Sequence, residues 1–418
     1  MTPAAAAAAR PVVVLVGALD TKGAEYGFVR DRLAVDGVDA LLIDVGVLGE
    51  ATLRADVDRA AVAVGAGTTV AALADGGDRG AAMTVMARSA TRLVAELVRS
   101  GAAAGVMVLG GSNAGYVMSH LASALPIGVP KVLVSTITAG DTRPYVGTSD
   151  LTMIYPVVDI AGLNSVSRLV LARAADACAG MVTAPPVPSP GSDRDAVGCT
   201  MFGVTTACVM AVHDTLVADG REAHVFHANG TGGRTFEAMI ASGLFAAVAD
   251  LTTTELADEL TGGVCSAGPD RLTAAAAHGV PQVVSVGAMD MANFGAAATV
   301  PARYADRQLY AYHPAVTLMR TTRSENEALG RELAAKVSRS TAYAEVHVPA
   351  RGFSQLSVAG GPFHDPAADR VLIEAVREHL DPRIPLHVHD TDINDPDFAS
   401  EITRALNRAL DHPRGIRA

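Results

Sequence analysis

The stretch Val12-Val13-Val14-Leu15-Val16 runs directly into Gly17-Ala18-Leu19-Asp20-Thr21-Lys22-Gly23, so a β-branched apolar run ends in a glycine-containing turn. The second half repeats the arrangement, where Val225-Phe226-His227 leads into Ala228-Asn229-Gly230-Thr231-Gly232-Gly233-Arg234. A strand that passes through glycines into a helix leaves N–H groups unpaired at the helix start, where the helix dipole favours negative charge. Both turns therefore predict binding of an anion, such as a phosphorylated small ligand.

Further apolar runs of this kind recur along the chain. They lie at 40–45, 105–110 and 131–136 before the middle of the chain, and at 197–203, 223–227, 247–252, 281–287, 344–349 and 385–390 after it. Such runs, separated by helix-like segments (notably 79–100 and 324–338), indicate parallel sheets covered on both faces. The sequence thus predicts an α/β fold of two tandem Rossmann-like domains with mostly parallel sheets. Ligands in such sheets bind beyond the carboxyl ends of the strands, and we expect the active site in an interdomain cleft.

The proline-rich run at 184–195 marks the domain boundary, because it cannot continue a helix or a central strand. We predict an N-terminal nucleotide-binding domain at 11–183, a linker at 184–195 and a C-terminal domain at 196–418. Residues 1–10 are alanine-rich without a basic region ahead of them, which predicts a disordered tail rather than a signal peptide.

Charge and composition exclude several classes of function. The formal net charge of −11 argues against nucleic acid as a partner, since such binding needs many lysine and arginine contacts to phosphate. The four cysteines lack zinc-site spacing and predict neither a cysteine-based metal site nor a disulfide framework. No stretch reaches the length of a membrane span, so we expect a cytoplasmic protein that does not enter membranes.

In the first half, two glycine-containing turns offer backbone donors together with polar side chains. Neither has the spacing of a Walker P-loop or of a dinucleotide-binding motif, and the alternative for both is a capped helix start with ordinary turn glycines. The candidate phosphate contacts are Gly17, Asp20, Thr21, Lys22, Gly110, Gly111 and Ser112.

The segment 135–150 is rich in hydroxyls and acids. Hydroxyls suit a ribose or a phosphate, and carboxylates suit a hydrated magnesium ion. The candidate ligand contacts are Thr136, Thr138, Gly140, Thr148 and Ser149, and the candidate metal ligands are Asp141 and Asp150. The alternative is that both aspartates are turn or cap residues.

In the second half, arginines and glycines at strand ends predict a second anion site, with Gly232, Gly233, Arg234 and Arg320 as its contacts. His227, Glu255 and Asp290 are the candidate catalytic residues. The alternatives are a structural role for His227 and a place in the acidic first turn of a helix for Glu255. His387 and His389 alternate along a strand. We place their side chains on opposite faces and therefore expect no joint metal site there.

With these segments assembled, the chain resembles the N-terminal ATP-binding domain family of the tomato mosaic virus resistance protein, uncharacterised protein family 0261. The resemblance covers most of the chain between Gly17 and Phe398. It rests on G-A-L-D-T-K (17–22), L-P-I-G-V-P-K-V-L-V-S-T (125–136), Y-V-G-T-S-D (145–150), V-V-D-I-A-G-L-N (157–164), T-M-F-G-V-T-T (200–206), V-F-H-A-N-G-T-G-G-R (225–234), L-T-T-T-E-L-A-D (251–258), V-G-A-M-D-M-A-N-F-G (286–295), L-M-R-T-T (318–322) and I-N-D-P-D-F-A (393–399).

The resemblance implies a two-domain α/β protein that binds ATP, with magnesium, and forms a homodimer. It also implies a TIM-barrel-like partner, which the plant protein carries as a fusion and bacterial relatives encode separately. Whether chemistry follows is left open by the residues. ATP-dependent phosphoryl transfer or hydrolysis on a small anionic metabolite, non-catalytic nucleotide sensing, and an ATP-independent sugar-acid or keto-acid lyase or isomerase are the three alternatives.

Overall fold

A computed structural model describes residues 10–185 and 195–412, which form two compact units on either side of the gap. Each unit has α/β architecture with a parallel sheet, which confirms the predicted fold class. The predicted tail at 1–10 and linker at 184–195 lie almost wholly outside the described residues.

The first unit contains one five-stranded sheet in which every pairing is parallel. Its strands are β1 (Val12–Gly17), β2 (Asp39–Asp44), β3 (Gly105–Gly110), β4 (Lys131–Ser135) and β5 (Thr152–Ile154). The spatial order is β2-β1-β3-β4-β5. The chain therefore steps from β1 to one side and returns to the other, which makes the junction of β1 and β3 the topological switch point.

Helices cover both faces of this sheet, as buried parallel strands require. They are α1 (Leu19–Val35), α2 (Arg59–Gly65), α3 (Val70–Asp75), α4 (Arg79–Arg99), α5 (Ser112–Ala124), α6 (Arg143–Val146) and α7 (Ser165–Thr183). In β1, Val13 and Leu15 pack into the core beneath α1 and α7, whereas Val14 and Val16 pack into the core beneath α4 and α5. Alternate side chains of one continuous apolar run thus serve two cores.

The second unit is built on a six-stranded parallel sheet with a small antiparallel sheet beside it. Its strands are β6 (Ala196–Met201), β7 (Glu222–His227), β8 (Ala247–Thr252), β9 (Gln282–Gly287), β10 (Met291–Phe294), β11 (Leu309–His313), β12 (Val316–Arg320), β13 (Ala344–Pro349) and β14 (Leu386–His389). The parallel order is β14-β13-β9-β8-β6-β7 and the antiparallel order is β10-β12-β11. The sequence did not predict the antiparallel sheet.

The described residues of this unit contain seven α-helices. They are α8 (Thr206–Ala218), α9 (Thr231–Ala241), α10 (Thr254–Thr261), α11 (Ala274–Ala277), α12 (Arg323–Val337), α13 (Pro366–His379) and α14 (Pro396–Leu410). The predicted helices at 79–100 and 324–338 are confirmed as α4 and α12. Helix α12 begins with a capping box in which Thr322 and Glu325 bond to each other's backbone. In the described part of the chain, no helix combines the length and apolar character needed to cross a membrane.

Candidate functional site

A cavity of about 330 Å³ lies at the carboxyl ends of β1, β2 and β3, which is the switch point of the first sheet. This is the position at which parallel α/β sheets bind their ligands, and the volume falls within the range of ligand pockets. Seven of the residues selected from the sequence line it, namely Gly17, Asp20, Thr21, Lys22, Gly110, Gly111 and Ser112.

Tyr26 forms the floor of the cavity and joins β1 to β3. Its hydroxyl lies 2.6 Å from the Val16 carbonyl and accepts a hydrogen bond of 3.0 Å from the Leu109 N–H. Burial raises the pKa of this phenol, so the hydroxyl stays protonated. A Cβ on Gly17 would lie 2.1 Å from the Tyr26 hydroxyl, so packing against Tyr26 alone requires glycine at this turn.

The N-terminus of α5 faces the cavity. Gly110 has a φ of +146°, which favours glycine, and Gly111 precedes the helix. The first bonds of the helix run from Ala114 and Gly115 to the Gly111 carbonyl, so the N–H groups of Ser112 and Asn113 make no backbone bond in the described residues. Both residues line the cavity, at the positive end of the helix dipole.

Two cationic residues, Lys22 and Arg79, line the cavity and have no carboxylate partner among the described residues. The Lys22 ammonium donates a hydrogen bond to the Ile160 carbonyl, which orients it without neutralising its charge. Arg79, the first residue of α4, is exposed and makes no hydrogen bond or ion pair with any described residue. Uncompensated positive charge in a concave site of an acidic protein favours an anionic ligand.

Asp20 supplies an acceptor to the same cavity. Its side chain is 5% exposed, and its Oδ2 accepts hydrogen bonds from the N–H groups of Leu48 and Gly49. Its Oδ1 is buried and has no partner among the described residues, although Arg59 lies 3.8 Å from Oδ2. A buried carboxylate oxygen without a donor is costly, so a hydroxyl or amino group of a ligand would satisfy it.

The remaining walls of the cavity are largely apolar. Val45, Val47, Met83 and Met86 contribute from the segment after β2 and from α4. A more open groove of about 740 Å³ adjoins it, sharing Arg79, Met83, Ser112 and Asn113 and extending to Tyr116 and Tyr145. The sequence did not single out Arg79, Met83 or Met86, because a charged first helical residue and apolar helix positions are typical of any packed helix.

Five ligand contacts were predicted in the segment 135–150, and none of them lines the cavity. They are Thr136, Thr138, Gly140, Thr148 and Ser149. The Thr138 hydroxyl instead donates to the Ser135 carbonyl, and the Ser149 hydroxyl lies 3.3 Å from Asp150. Their assignment as ligand contacts stays a prediction that the geometry of the cavity does not support.

The predicted metal ligands already have cationic partners. Asp141 binds Arg143 through both oxygens, at 2.9 and 2.7 Å, and this hydrogen bonding lowers the pKa of Asp141 to about 2. Asp150 lies 2.6 Å from the Lys131 ammonium. Burial alone would raise the pKa of Asp150, but the hydrogen bonds from Lys131 and from the Gly128 N–H, together with the charge of Lys131, outweigh it and hold the pKa below its ordinary value. A magnesium ion at either carboxylate would have to displace the paired cation, and the assignment of Asp141 and Asp150 as metal ligands stays a prediction.

The second glycine-containing turn holds an anion of the protein itself. Oε1 of Glu255 accepts hydrogen bonds from the N–H groups of Gly230, at 2.6 Å, and Gly233, at 3.0 Å, at the start of α9. Glu255 is wholly buried, and its Oε2 lies 2.5 Å from Arg271. A Cβ on Gly233 would lie 2.1 Å from this carboxylate. The turn thus has the predicted affinity for an anion, and an internal carboxylate satisfies it.

The other residues predicted to bind or act in the second half also contact groups of the protein itself. Arg234 donates to Ser266 and Thr231, and the exposed His227 stacks on Phe202 with ring centroids 5.1 Å apart. Gly232 lies so close to the His227 carbonyl that a Cβ there would approach it to 1.8 Å. The geometry therefore gives these glycines a packing role.

Arg320 and Asp290 belong to a buried polar network. Arg320 donates to the carbonyls of Phe363 and Asp290 and pairs with Asp369. Asp290 accepts from the Ser354 hydroxyl at 2.7 Å, and burial raises the pKa of Asp290. Every nitrogen of the Arg320 guanidinium is bonded internally, so no group remains for a ligand.

The prediction that His387 and His389 point to opposite faces was wrong, because residues two apart on a strand share a face. The ring of His347 on β13 packs against both, with centroids 4.6 Å from His387 and 5.2 Å from His389.

Comparison with known proteins assigns this chain to a family. Among solved structures, Acinetobacter baumannii MurG is 11% identical over 97% of this chain and 96% of its own, but its TM-score of 0.20 is too low to support an inference. A UPF0261 protein of Clostridium tetani is 41% identical over 395 residues, which cover 94% of this chain and 98% of the relative. The ToMV resistance protein Tm-1(GCR237) of Solanum lycopersicum is 39% identical over 330 residues, which cover 78% of this chain and 44% of the plant protein.

Models of the two domains of one family match nearly the whole described chain. The N-terminal domain of the Uncharacterised protein family (UPF0261) matches residues 11–186, and its C-terminal domain matches residues 194–410. The chain therefore belongs to the UPF0261 family, as the sequence motifs predicted.

Proposed function

We propose that the first unit binds ATP in the cavity at the carboxyl ends of β1, β2 and β3. The observation that carries the proposal is the combination of two cations without carboxylate partners, Lys22 and Arg79, with the free N–H groups at the start of α5. All of these groups line one cavity at the switch point of a parallel sheet.

The phosphates would accept hydrogen bonds from the N–H groups of Ser112 and Asn113 and lie between Lys22 and Arg79. Gly111 lets a phosphate approach the backbone closely, since a Cβ built there would meet no atom within 4 Å. Two cations and a helix N-terminus would together offset much of the charge of a triphosphate.

The nucleoside would occupy the rest of the cavity. The free Oδ1 of Asp20 would accept a hydrogen bond from a ribose hydroxyl, and this satisfies an oxygen that is otherwise buried without a partner. The apolar walls formed by Val47, Met83 and Met86 suit the faces of a base.

The proposal is for binding and does not extend to turnover. The predicted catalytic residues Glu255 and Asp290 are wholly buried and hydrogen-bonded within the second unit, and the predicted magnesium ligands are paired with cations. Phosphoryl transfer, nucleotide sensing and dimerisation therefore stay predictions from the sequence and its resemblance.

Calorimetric titration of the full chain with ATP and with ADP, with and without magnesium, tests the proposal. Lys22→Ala should weaken ATP binding about 10-fold to 150-fold, the equivalent of one lost charge-assisted hydrogen bond. Arg79→Ala should weaken it by a similar factor.

Arg99→Ala is the matched control for Arg79→Ala, because Arg99 ends the same helix and pairs with Glu96 at the surface. Equal ATP affinity in wild type, Lys22→Ala and Arg79→Ala would refute the proposed site. A measurement of ADP release in the same samples would separate an enzyme from a sensor.

A further inference from the structure

A second group of potential ligands lies in the second unit, on one face of β13 and the edge strand β14. We define the imidazole cluster as Glu345, His347, His387 and His389. In the parallel register, His347 lies directly opposite His387. Because Glu345 and His347 are two residues apart on β13, and His387 and His389 are two apart on β14, all four side chains share a face.

The distances among three of these side chains suit a metal ion. Oε2 of Glu345 lies 2.8 Å from Nε2 of His347 and 3.7 Å from Nε2 of His387. One ligand atom from each of the three residues falls within 4.8 Å of the others. With metal–ligand bonds of about 2.0–2.1 Å, a tetrahedral site spaces its ligand atoms about 3.3 Å apart, and the two observed distances bracket this value.

We propose that Glu345, His347 and His387 form a binding site for a divalent transition-metal ion of the zinc type. Two imidazoles and one carboxylate are a ligand set that zinc accepts with a fourth position left open. His387 is 43% exposed, which gives an ion access from solvent, whereas Glu345 and His347 are buried and fixed.

His389 would position His347 from its other side. Nδ1 of His347 lies 3.0 Å from Nε2 of His389, so His347 can donate its Nδ1–H there while Nε2 binds the ion. Ligating histidines ordinarily donate their second ring N–H to such a partner, which sets the tautomer.

Arg408 is the group that the ion must displace. Its guanidinium lies 2.7 Å from Oε2 and 3.0 Å from Oε1 of Glu345. The Arg408 side chain is 45% exposed, so it can withdraw from Oε2 while it keeps its bond to Oε1 or to the Tyr343 hydroxyl. Its positive charge opposes metal binding, and removal of that charge should therefore tighten it.

The consequence for the fold is a link between β14 and the sheet. β14 pairs only with β13 in the described residues and has no neighbour on its other side. An ion bound by residues of both strands would stabilise the pairing, because a ligand that binds only the folded state lowers its free energy.

Titration of the full chain with Zn²⁺, in competition with a chromogenic chelator, tests the proposal. We expect one site per chain, at least 100-fold weaker binding in His387→Ala, and tighter binding in Arg408→Gln. His379→Ala is the control histidine, since His379 lies on α13 and bonds to the Ala375 carbonyl. Hydrogen exchange at 386–389 should slow when zinc is bound.

Two results would overturn the assignment. Zinc binding in His387→Ala that equals the wild type would remove His387 from the site. Because the His387 side chain is 43% exposed, its truncation should leave the fold intact, and thermal unfolding of the variant checks this. Weaker binding in Arg408→Gln would contradict Oε2 of Glu345 as a ligand, because the variant removes the competing cation.

Discussion

A single methyl group at Gly111 should separate ligand binding from folding. Gly111 lines the cavity with a φ of −85°, outside the left-handed region, and its Cβ position is open. In Gly111→Ala the new methyl group would stand beside the free N–H groups of Ser112 and Asn113, where the proposal places phosphate. The fold should be preserved, and the ligand should be held further from its donors.

The size of the effect follows from the donors that are lost. A hydrogen bond between an N–H group and a charged phosphate contributes about 1.5–3 kcal/mol, so loss of one weakens ATP binding about 10-fold to 150-fold. Isothermal titration calorimetry measures this directly, and thermal unfolding of the same samples reports whether the fold is intact.

Gly180→Ala is the matched control. Gly180 lies within α7, and a Cβ there also meets no atom within 4 Å, but the position is away from the cavity. This variant should bind ATP as the wild type does and gain up to about 1 kcal/mol of stability from helix propensity. Equal ATP affinity in Gly111→Ala and Gly180→Ala would refute the placement of phosphate at the start of α5.

Three further predictions concern stability and can be measured by denaturant unfolding. Gly17→Ala should lower the free energy of unfolding by about 1–3 kcal/mol, because the new Cβ would lie 2.1 Å from the Tyr26 hydroxyl. An unchanged free energy of unfolding would contradict this packing. Burial raises the pKa of Asp258 to about 7, so the folded state holds its proton more tightly than the unfolded state, whose pKa is about 3.9. Asp258 should therefore contribute a fall in stability of up to about 1.4 kcal/mol per pH unit as pH rises from about 4 to 7. Asp258→Asn should remove this contribution, and a pH slope equal to that of the wild type would contradict it. Glu255→Gln should lower the free energy of unfolding of the second unit by about 3–5 kcal/mol, because it leaves Arg271 and two N–H groups with a weaker acceptor. The ATP affinity should be unchanged. Weakened ATP binding in a folded sample would contradict the assignment of the site to the first unit.

The parallel strands could be predicted because each is a continuous apolar run. Such runs arise when both faces of a sheet are buried, as in β1, whose side chains enter two cores. The antiparallel sheet carries no such signal. All five residues of β11 are exposed, and three-residue β5 is only partly buried, so neither strand requires an apolar pattern.

The site was predictable only in part, because similar turns have different occupants. The turns before α1 and α9 both combine glycines with a strand end, and the sequence assigns an anion to each. In the second unit a carboxylate from α10, Glu255, occupies the helix start, and this depends on a contact between residues 22 or 25 positions apart. Spacing within a motif carries no information about such a partner.

The imidazole cluster could not be predicted from the sequence for a different reason. The sequence contains His387 and His389 two residues apart, which places them on one face, and our opposite assignment was an error of strand geometry. The third and fourth members, Glu345 and His347, lie about 40 residues earlier and become neighbours only through the pairing of β13 with β14.

A crystal structure of the full chain with ATP tests the central claim most directly. The account predicts phosphate oxygens within hydrogen-bonding distance of the N–H groups of Ser112 and Asn113, with Lys22 and Arg79 beside them and a ribose hydroxyl at Oδ1 of Asp20. A nucleotide bound wholly outside the first unit, or one whose phosphates lie away from the start of α5, would contradict it.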